Sequence, residues 1–352
     1  YRGAFGTHMA YLMRRLLRIC DYHGVSPQFL CSSATIANPL ELAQNICSRP
    51  FILIDDDGSF NSAKKLIFWQ CPNNSDTITE VTSLIHDLVV NDITSITFCQ
   101  SRRDVEVASR EIKEILKQQH GIGNIQKRVS AYRSGLTPTE RRSIERNLRT
   151  GILKGVISTN ALELGIDIGS LDVVVMAGFP GTKASFWQQA GRAGRRSGNA
   201  WIIIILSNRP IEHYIAQDIS WLTESSVENA IVDISNIFIQ LNHIRAAAYE
   251  LPLSEIDIKY FHDLGIIVPK LVESGDLTRD GTQYQWAQQN NTNPAMEISL
   301  RNINNESIDL VDSQSEKTIT STDLITAKYE LFPGAIYLHE GVQYKVKSLD
   351  FE

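Results

Sequence analysis

The sequence predicts an α/β protein built on a doubly wound parallel sheet. Strand-like runs alternate with helix-like runs over residues 64–206, which is the pattern of a parallel sheet with helices on both faces. Four consecutive isoleucines at 202–205 do not alternate with polar residues, as expected for a strand buried on both sides. Further along, two helical patterns precede a pair of extended runs around Asp280-Gly281, which indicates a winged helix.

The predicted strands and helices of the sheet region follow from local hydrophobic patterns. The strand-like runs are Leu66–Trp69, Ser95–Phe98, Arg128–Ala131, Gly155–Ser158, Val173–Met176 and Trp201–Leu206. The helix-like runs cover about Thr79–Val90, Arg103–Gln118, Pro138–Arg149 and Ser185–Ala193.

Before the sheet, the pattern predicts a helix over 8–24, a helix over 40–46, and strands over Gln28–Ser32 and Phe51–Ile54. The first helix carries arginines off its apolar face, which are either a solvated surface or a phosphate contact: Arg14, Arg15 and Arg18. The acidic run at 55–57 is predicted to be a linker, because no second acidic ligand follows at EF-hand spacing.

After the sheet, a long amphipathic helix is predicted over Val227–Tyr249. Ser254–Asp257 has the pattern of a capping box that opens a second helix, with Gly265 as its stop and a further short helix before Gly275. The later predictions are a hairpin over Leu277–Trp286, a strand near Met296–Arg301, and a second hairpin from Ala335–His339 and Gln343–Lys347.

Composition excludes several classes of protein. The 352 residues carry a net charge of −6, so nucleic-acid binding has to come from local basic patches. The five cysteines form no C-x-x-C pair, which predicts neither a metal site nor a disulfide framework. No apolar run of membrane-spanning length and no signal-peptide pattern occurs, so a cytoplasmic protein without a membrane partner is expected.

The strongest chemical signal is the segment QQAGRAGRR, from Gln188 to Arg196. Arg192 and Arg195 are three residues apart, so both guanidinium groups can point to one target. Such groups match phosphate oxygens and neutralise the charge that develops on a transferred phosphoryl group. Five basic residues and no acidic residue occur from Thr182 to Ile211, so the arginines have no local ion-pair partners. A phosphate site and a basic surface turn remain as the two interpretations.

Four segments resemble the motifs of superfamily 2 helicases, in the right order and on the right kinds of element. Gln188-x-x-Gly191-Arg192-x-x-Arg195 resembles motif VI, and Ser158–Asp167 (STNALELGID) resembles motif V. Phe98–Arg102 (FCQSR) resembles motif IV, and Ser33-Ala34-Thr35 resembles motif III. The resemblance implies the second RecA-like domain of a helicase motor.

Longer stretches are similar to the YprA/MrfA group of DNA repair helicases: Tyr1–Gly6, Tyr132–Leu136, Glu140–Arg142, Ala246–Leu253 and Pro333–Gly341. The implied organisation has four parts. Residues 1–60 are the C-terminal remnant of a first RecA-like domain, and residues 61–222 are the second RecA-like domain. Residues 223–290 are a winged-helix-like domain, and residues 291–352 are a loop-rich segment with the start of a small β domain.

Other parts of such a motor are not in this sequence. The P-loop pattern G-x-x-x-x-G-K-[ST] and the Asp-Glu box do not occur, so the main ligands of ATP and Mg²⁺ are expected outside these residues. The chain begins at Tyr1 without a methionine and is expected to be a piece that lacks the first RecA-like half. The group also carries a cysteine-rich metal domain, which is not found here. The isolated chain is therefore predicted to be inactive.

The resemblance implies roles for the matched residues. Arg195 would be the arginine finger on the γ-phosphate, with Arg192 beside it and Gln188 orienting the phosphate. Gly165 and Asp167 would line the nucleotide side, although Asp167 has the alternative role of capping the turn at Gly169-Ser170.

The remaining matched residues concern DNA and the other half of the motor. The residues expected to contact the backbone of single-stranded DNA in the interdomain cleft are Ser101, Arg102, Thr159 and Asn160, which lie at the carboxyl edge of the sheet. Ser33 and Thr35 would couple the two RecA-like domains. Trp187 and Trp201 are either core residues or base-stacking residues.

The function implied is that of an ATP-dependent DNA helicase or translocase, of which this chain supplies motifs III to VI. An RNA helicase of the same superfamily is an alternative, because these motifs are shared. A non-catalytic nucleic-acid-binding or docking module is a second alternative, because the P-loop is not in the sequence.

Overall fold

The protein contains a parallel six-stranded sheet. The computed structural model describes residues 1–33, 35–56, 58, 63–72, 75–120, 124–132, 136–163, 171–194, 200–287, 292–300, 307–339 and 342–350. Its strands are β1 (Lys64–Gln70), β2 (Ser95–Phe98), β3 (Val129–Tyr132), β4 (Gly155–Ser158), β5 (Val173–Ala177) and β6 (Ala200–Leu206). The order across the sheet is β1-β6-β5-β2-β4-β3. All six strands predicted from the sequence are therefore confirmed.

Helices and short hairpins make up the rest of the described secondary structure. The helices are α1 (Gly3–Tyr22), α2 (Pro39–Cys47), α3 (Thr77–Val90), α4 (Arg102–His120), α5 (Pro138–Arg149), α6 (Lys183–Ala190), α7 (Pro210–Gln217), α8 (Ser220–Thr223), α9 (Ile237–Glu250), α10 (Leu264–Glu273) and α11 (Leu324–Glu330). The remaining strands pair as β7 (Leu277–Asp280) with β8 (Gln283–Trp286), β9 (Ser307–Val311) with β10 (Thr318–Asp323), and β11 (Ile336–His339) with β12 (Val342–Lys345).

Strand β6 shows why the sheet is covered on both faces. Ile202 and Ile204 belong to one hydrophobic cluster, whereas Ile203 and Ile205 belong to another. Successive side chains of a strand point to opposite faces, so an unbroken isoleucine run requires two apolar layers. The doubly wound α/β class predicted from this run is confirmed.

The chain divides into two compact units. One unit holds the parallel sheet and comprises Ala34–Ala37 and Asp55–Glu228. The other comprises Tyr1–Ser33, Asn38–Ile54 and Asn229–Glu352, so α1 and α2 group with α9, α10 and the later hairpins.

The winged helix belongs to this second unit and consists of α9, α10 and the β7–β8 hairpin. Gly281, with φ +57°, makes the turn of the hairpin, as the Asp280-Gly281 pair predicts. Tyr11 and Leu17 of α1 share a hydrophobic core with Ile244 and Phe261, so α1 is an integral part of this unit.

Both sequence interpretations of the α1 arginines are wrong. Arg14, Arg15 and Arg18 are only 3–6% exposed. Arg18 Nε donates to Asp257 Oδ1 at 2.7 Å, and its Nη1 donates to the Ala247 carbonyl at 2.8 Å. These arginines therefore hold elements of the unit together, which periodicity on a single helix cannot reveal.

The strands predicted over Gln28–Ser32 and Phe51–Ile54 do not form. Both segments lack strand pairing, and Leu30 and Ile52 are 92% and 91% exposed. A strand gains its hydrogen bonds from a neighbour, so apolar alternation without a partner strand leaves an extended segment.

Three predictions after the sheet are also wrong. Helix α9 begins at Ile237 and not at Val227, because Asn236 caps its first turn. Before the cap, the Asp233 carboxylate accepts a hydrogen bond from Ser235 N, which stabilises a turn in place of a helix. The Ser254–Asp257 capping box forms but opens a short 3₁₀ helix, Glu255–Lys259, and Gly265 lies inside α10. A 3₁₀ helix, Pro294–Glu297, stands where a strand near Met296 is predicted.

The tail contains one predicted and one unpredicted pair of strands. The β11–β12 hairpin is confirmed, whereas β9 and β10 lie where no strand is predicted. No helix within the described residues has the length and apolar content needed to cross a membrane.

Candidate functional site

The carboxyl edge of the sheet collects the residues expected to bind a nucleic-acid strand. Strands β2 and β4 are parallel neighbours with Phe98 opposite Ser158, and Cys99 N donates to Ser158 O at 2.8 Å just beyond them. Four residues that are predicted to contact the nucleic-acid backbone therefore follow the ends of adjacent β-strands: Ser101, Arg102, Thr159 and Asn160. All of these except the half-buried Thr159 are exposed.

Ser101 has a structural role in addition to its expected contact. Its Oγ accepts a hydrogen bond from Asp104 N at 3.1 Å at the start of α4. Residues of this type satisfy the free N–H groups of a first helical turn. The exposed Arg102 and Arg103 are therefore held at the N-terminal end of a 19-residue helix, where the helix dipole favours an anion.

The segment after β4 turns sharply and ends on a buried carboxylate. Asn160–Leu162 form a 3₁₀ turn, which Leu162, 1% exposed, anchors in the core. Glu163 N donates to Asn160 O at 3.0 Å and closes the turn. The predicted strand contact Asn160 and the carboxylate of Glu163 are thus parts of one small rigid unit.

The arginine segment begins on α6 and leaves it at Gly191. Thr182 caps the start of α6 by accepting from Ser185 N at 3.1 Å. Arg192 N then donates to Gln189 O at 2.9 Å in the turn that ends the helix. Gly194 adopts φ +88°, a conformation that favours glycine, so the backbone requires the second glycine of this segment.

Arg192 and Gln189 both reach Glu163. Arg192 is 8% exposed, and its Nη2 donates to the Glu163 carbonyl oxygen at 2.6 Å. Gln189 is 4% exposed, and its Nε2 donates to Glu163 Oε2 at 3.2 Å. These two bonds join the segment that resembles motif VI to the segment that resembles motif V.

A cavity of about 320 Å³ opens beside these bonds at the carboxyl edge, and we refer to it as the edge cavity. It is lined by residues from four segments, among them Gln100, Asn160, Glu163, Phe179, Gln189 and Arg209. Burial raises the pKa of the Cys99 thiol, which also lines the cavity, to about 12, so this cysteine is a packing residue.

A buried carboxylate shapes one wall of the edge cavity. Glu212 is fully buried and accepts from Phe179 N at 2.9 Å and from Ser207 N at 2.5 Å. Gly178 has φ +82°, and a Cβ there would lie 2.6 Å from Gln100 Nε2. Only glycine fits this position, which fixes the loop between β5 and α6.

Sequence reasoning assigned no role to Glu163, Gln189 or Glu212. Glu163 lies within the stretch that resembles motif V, and Gln189 within the one that resembles motif VI. An acidic residue such as Glu163, within a motif that contacts anions, is a signal of a structural role that can be read from the sequence. Glu212 had no such signal, because its partners are backbone groups distant in sequence.

The remaining predicted site residues are less defined by contacts. Gln188 is half-buried on α6, Ser33 is exposed, and Thr35 is half-buried. Gly165, Asp167 and Arg195 lie outside the described residues. Their predicted roles, and those of the strand contacts, stay predictions.

The two tryptophans differ. Trp187 packs against Phe186 and donates from Nε1 to the Leu222 carbonyl at 3.3 Å, which is a packing role. Trp201 is 39% exposed with Lys65 Nζ 5.0 Å from its ring centre, so it is a partly exposed strand residue. In the described part of the chain, no group of three metal-ligating side chains is close enough to hold a metal ion.

Two protein families match this chain. Residues 77–197 match the helicase conserved C-terminal domain, and residues 232–303 match the winged helix domain of the ATP-dependent helicase HRQ1. The first range includes the carboxyl-edge residues and the arginine segment. The second range contains α9, α10 and the β7–β8 hairpin.

Similar proteins cover nearly the whole chain. The ATP-dependent helicase YprA of Bacillus subtilis (strain 168) is 41% identical over 100% of this chain and 48% of its own length. The ATP-dependent helicase HRQ1 of Saccharomyces cerevisiae is 35% identical over 99% of this chain and 34% of its own length. The crystal structure of the DUF1998 helicase MrfA bound to DNA aligns with a TM-score of 0.82 and 42% identity, over 99% of this chain and 50% of that one. This chain therefore spans a third to a half of these relatives.

Proposed function

Because the chain belongs to the superfamily 2 helicases of the YprA/MrfA group and carries their C-terminal helicase and winged-helix domains, we propose that it supplies the strand-binding and arginine side of an ATP-dependent DNA motor. In that motor, ATP closes this side against a first RecA-like half and hydrolysis reopens it. One strand of DNA then steps through the cleft.

The observation that supports this proposal most directly is the convergence at the carboxyl edge. The exposed Arg102 and Asn160 follow neighbouring strands, and Arg192 reaches the same turn through the Glu163 carbonyl. Open α/β sheets bind their ligands at this edge. Phosphate contacts of this kind make binding tolerant of sequence and sensitive to salt.

The groups of this chain fit one side of a nucleotide. Forked guanidinium groups match phosphate oxygens, and the QQAGRAGRR segment carries them. The P-loop and the carboxylates that hold Mg²⁺ are not in the sequence. The chain therefore fits one half of an ATP site, whose other half is supplied by the first RecA-like domain. Arg195 is the proposed finger, Arg192 and Gln188 stand beside it, and Gly165 and Asp167 line the nucleotide.

Two observations favour DNA over RNA. The relative MrfA is described in its crystal structure as bound to DNA, and the winged helix matches that of the helicase HRQ1. In the proposed motor, the winged helix braces or splits the duplex. A cytoplasmic role in DNA repair completes the proposal and rests on the resemblance to the YprA/MrfA group.

The experiment compares two arginine variants in a protein that carries the nucleotide-binding half together with these 352 residues. Arg195→Ala is expected to lower kcat at saturating DNA on the order of 10³-fold, because a finger arginine neutralises transition-state charge. Its dissociation constant for a single-stranded oligonucleotide should stay near that of the parent protein.

Arg102→Ala is the matched control, since it removes the same charge from the predicted strand side. It should weaken oligonucleotide binding and lower the salt slope by about one unit, with a smaller effect on kcat. If Arg195→Ala instead keeps kcat and loses DNA affinity, the finger assignment is wrong. If Arg195→Ala and Arg192→Ala are both silent, the arginine segment is a basic surface turn.

A further inference from the structure

We propose that Glu163 and Gln189 are positioning residues that couple strand binding at Asn160 to the placement of Arg192. This inference rests on the proposed function, in which Asn160 contacts DNA and Arg192 faces the nucleotide. Neither Glu163 nor Gln189 is proposed to touch DNA or ATP. They act through the two residues they hold.

Within the described residues, Glu163 is a point where both segments meet. Its carbonyl oxygen accepts from Arg192 Nη2 at 2.6 Å, and its carboxylate accepts from Gln189 Nε2 at 3.2 Å. Its own N–H donates to Asn160 O at 3.0 Å. A single residue therefore holds the Arg192 guanidinium, the end of helix α6 that precedes it, and the turn at Asn160.

Burial makes these bonds effective. Glu163, Gln189 and Arg192 are only 4–9% exposed, and hydrogen bonds are stronger where water does not compete for them. The 3₁₀ turn is short, and Leu162 fixes it in the core. A displacement of Asn160 on DNA binding is thus expected to displace Glu163 as well.

The Gln189 amide donates to the Glu163 carboxylate. Among the described residues, Gln189 Oε1 is buried without a hydrogen-bond partner. A buried polar atom without a partner is unfavourable, and simple packing would be served as well by an apolar side chain. The amide is explained if its task is to hold the Glu163 carboxylate.

The test exchanges the two groups. Gln189→Glu places two carboxylates side by side and removes the hydrogen bond from residue 189 to Glu163. The double variant Glu163→Gln with Gln189→Glu restores this hydrogen bond in the opposite direction, with residue 163 as the donor and residue 189 as the acceptor. Gln189→Met removes the bond at similar volume without adding charge. Glu163→Gln alone keeps an acceptor and serves as the conservative control.

The readout is the ratio of ATP hydrolysis rates with and without saturating oligo(dT), in a protein that includes the nucleotide-binding half. The ratio is expected to fall at least about fivefold in Gln189→Glu and Gln189→Met, the lower end of typical coupling between two sites. The reversed pair should restore most of the parent ratio, and Glu163→Gln should retain most of it. Unfolding midpoints of all variants identify any loss that comes from misfolding.

A second readout uses the 352-residue chain itself. Oligo(dT) should change hydrogen exchange at residues 187–192 in the parent chain and in the reversed pair, but not in Gln189→Met. The coupling is overturned if folded Gln189→Met keeps the parent's stimulation of ATP hydrolysis by oligo(dT) and its oligo(dT)-induced change in hydrogen exchange at residues 187–192. A parent protein whose ATP hydrolysis does not respond to DNA overturns the proposed function instead, so the two failures are distinguishable.

Discussion

His243 on α9 is buried beside two basic side chains of α1, and this contact decides which ring nitrogen carries its proton. Arg15 Nη1 lies 3.4 Å from His243 Nδ1, and an arginine only donates, so Nδ1 accepts. Nε2 then carries the proton and donates to His8 Nδ1 at 3.1 Å. Burial first, and then the charges of Arg15 and His8, hold the pKa of His243 well below 6.5.

A pH-dependent stability follows for the unit that contains α1 and α9. The unfolded chain binds a proton at His243 near pH 6.5 and the folded chain does not, so this stability is complete above pH 6.5 and is lost as the pH falls. The free energy of unfolding should decrease by up to about 1 kcal/mol between pH 6.5 and 5.5 from this group. Hydrogen exchange of the α9 amides, corrected for the intrinsic rate, measures it.

Two variants isolate the contribution of His243. His243→Gln removes the buried titration and should flatten the pH dependence over this interval. His23→Gln removes an exposed histidine of the same unit and should leave the dependence as in the parent chain. Equal slopes in all three proteins would show that the ring of His243 is not kept neutral by the fold.

At the scale of elements, α1 is firmly held whereas the segments that follow it are not. Arg15 pairs with Glu250, and Arg18 pairs with Asp257, with all four side chains largely buried. Residues 25–33 and 51–54, in contrast, are extended without strand partners. Weak structure is therefore expected in these two segments and not in α1.

Hydrogen exchange should separate these parts. The α1 amides are expected to exchange slowly. Those of residues 26–33 and 51–54 should exchange near the rate of an unstructured chain, because their N–H groups make no backbone hydrogen bond within the described part of the chain. Strong protection of residues 26–33 in a verified monomer would contradict the expectation.

The variant Arg18→Leu tests what holds α1. It leaves the Asp257 carboxylate buried without its ion pair, and such losses destabilise by about 3–5 kcal/mol. Arg49→Leu is the control, because the Arg49–Asp21 pair is 3.6 Å apart and more than a third exposed, and surface pairs contribute about 0–1 kcal/mol. A similar effect of the two variants on α1 protection would mean that the buried pairs are dispensable.

At the scale of the whole molecule, the 352 residues carry one side of a proposed two-sided motor. The chain spans a third to a half of the relatives it matches, and it contains no P-loop pattern. Its net charge of −6 gives no general attraction to DNA. The proposed binding of a DNA strand therefore has to come from local groups, for which Arg102 at the carboxyl edge is the proposed contact.

The isolated chain is predicted to bind single-stranded DNA weakly but not to hydrolyse ATP. Each neutralised phosphate of a single strand contributes about −0.7 to the slope of log affinity against log salt, so binding should weaken steeply as NaCl is raised. Oligonucleotide anisotropy and phosphate release by the purified chain are the measurements. DNA-stimulated hydrolysis at a rate typical of helicases would refute the prediction.

The sequence by itself determined the parallel sheet and the succession of its strands and helices along the chain. The strands β2 and β4 were predictable to the residue, because an apolar run bounded by polar turns is a local signal. The carboxyl-edge placement of Ser101 and Asn160 also followed, since parallel neighbours end at one edge. Glycines such as Gly194 were visible as part of the arginine segment before their backbone angle gave the reason.

Only the tertiary structure decided which side chains meet. The burial of Arg18, the pairing of Glu163 with Gln189, and the absence of a strand at residues 28–32 each depend on partners far away in the sequence. A helix forms from bonds within its own segment, whereas a strand and a buried ion pair need a second segment to complete them. Local patterns therefore predicted the elements, and contacts across the fold determined the role of each polar residue.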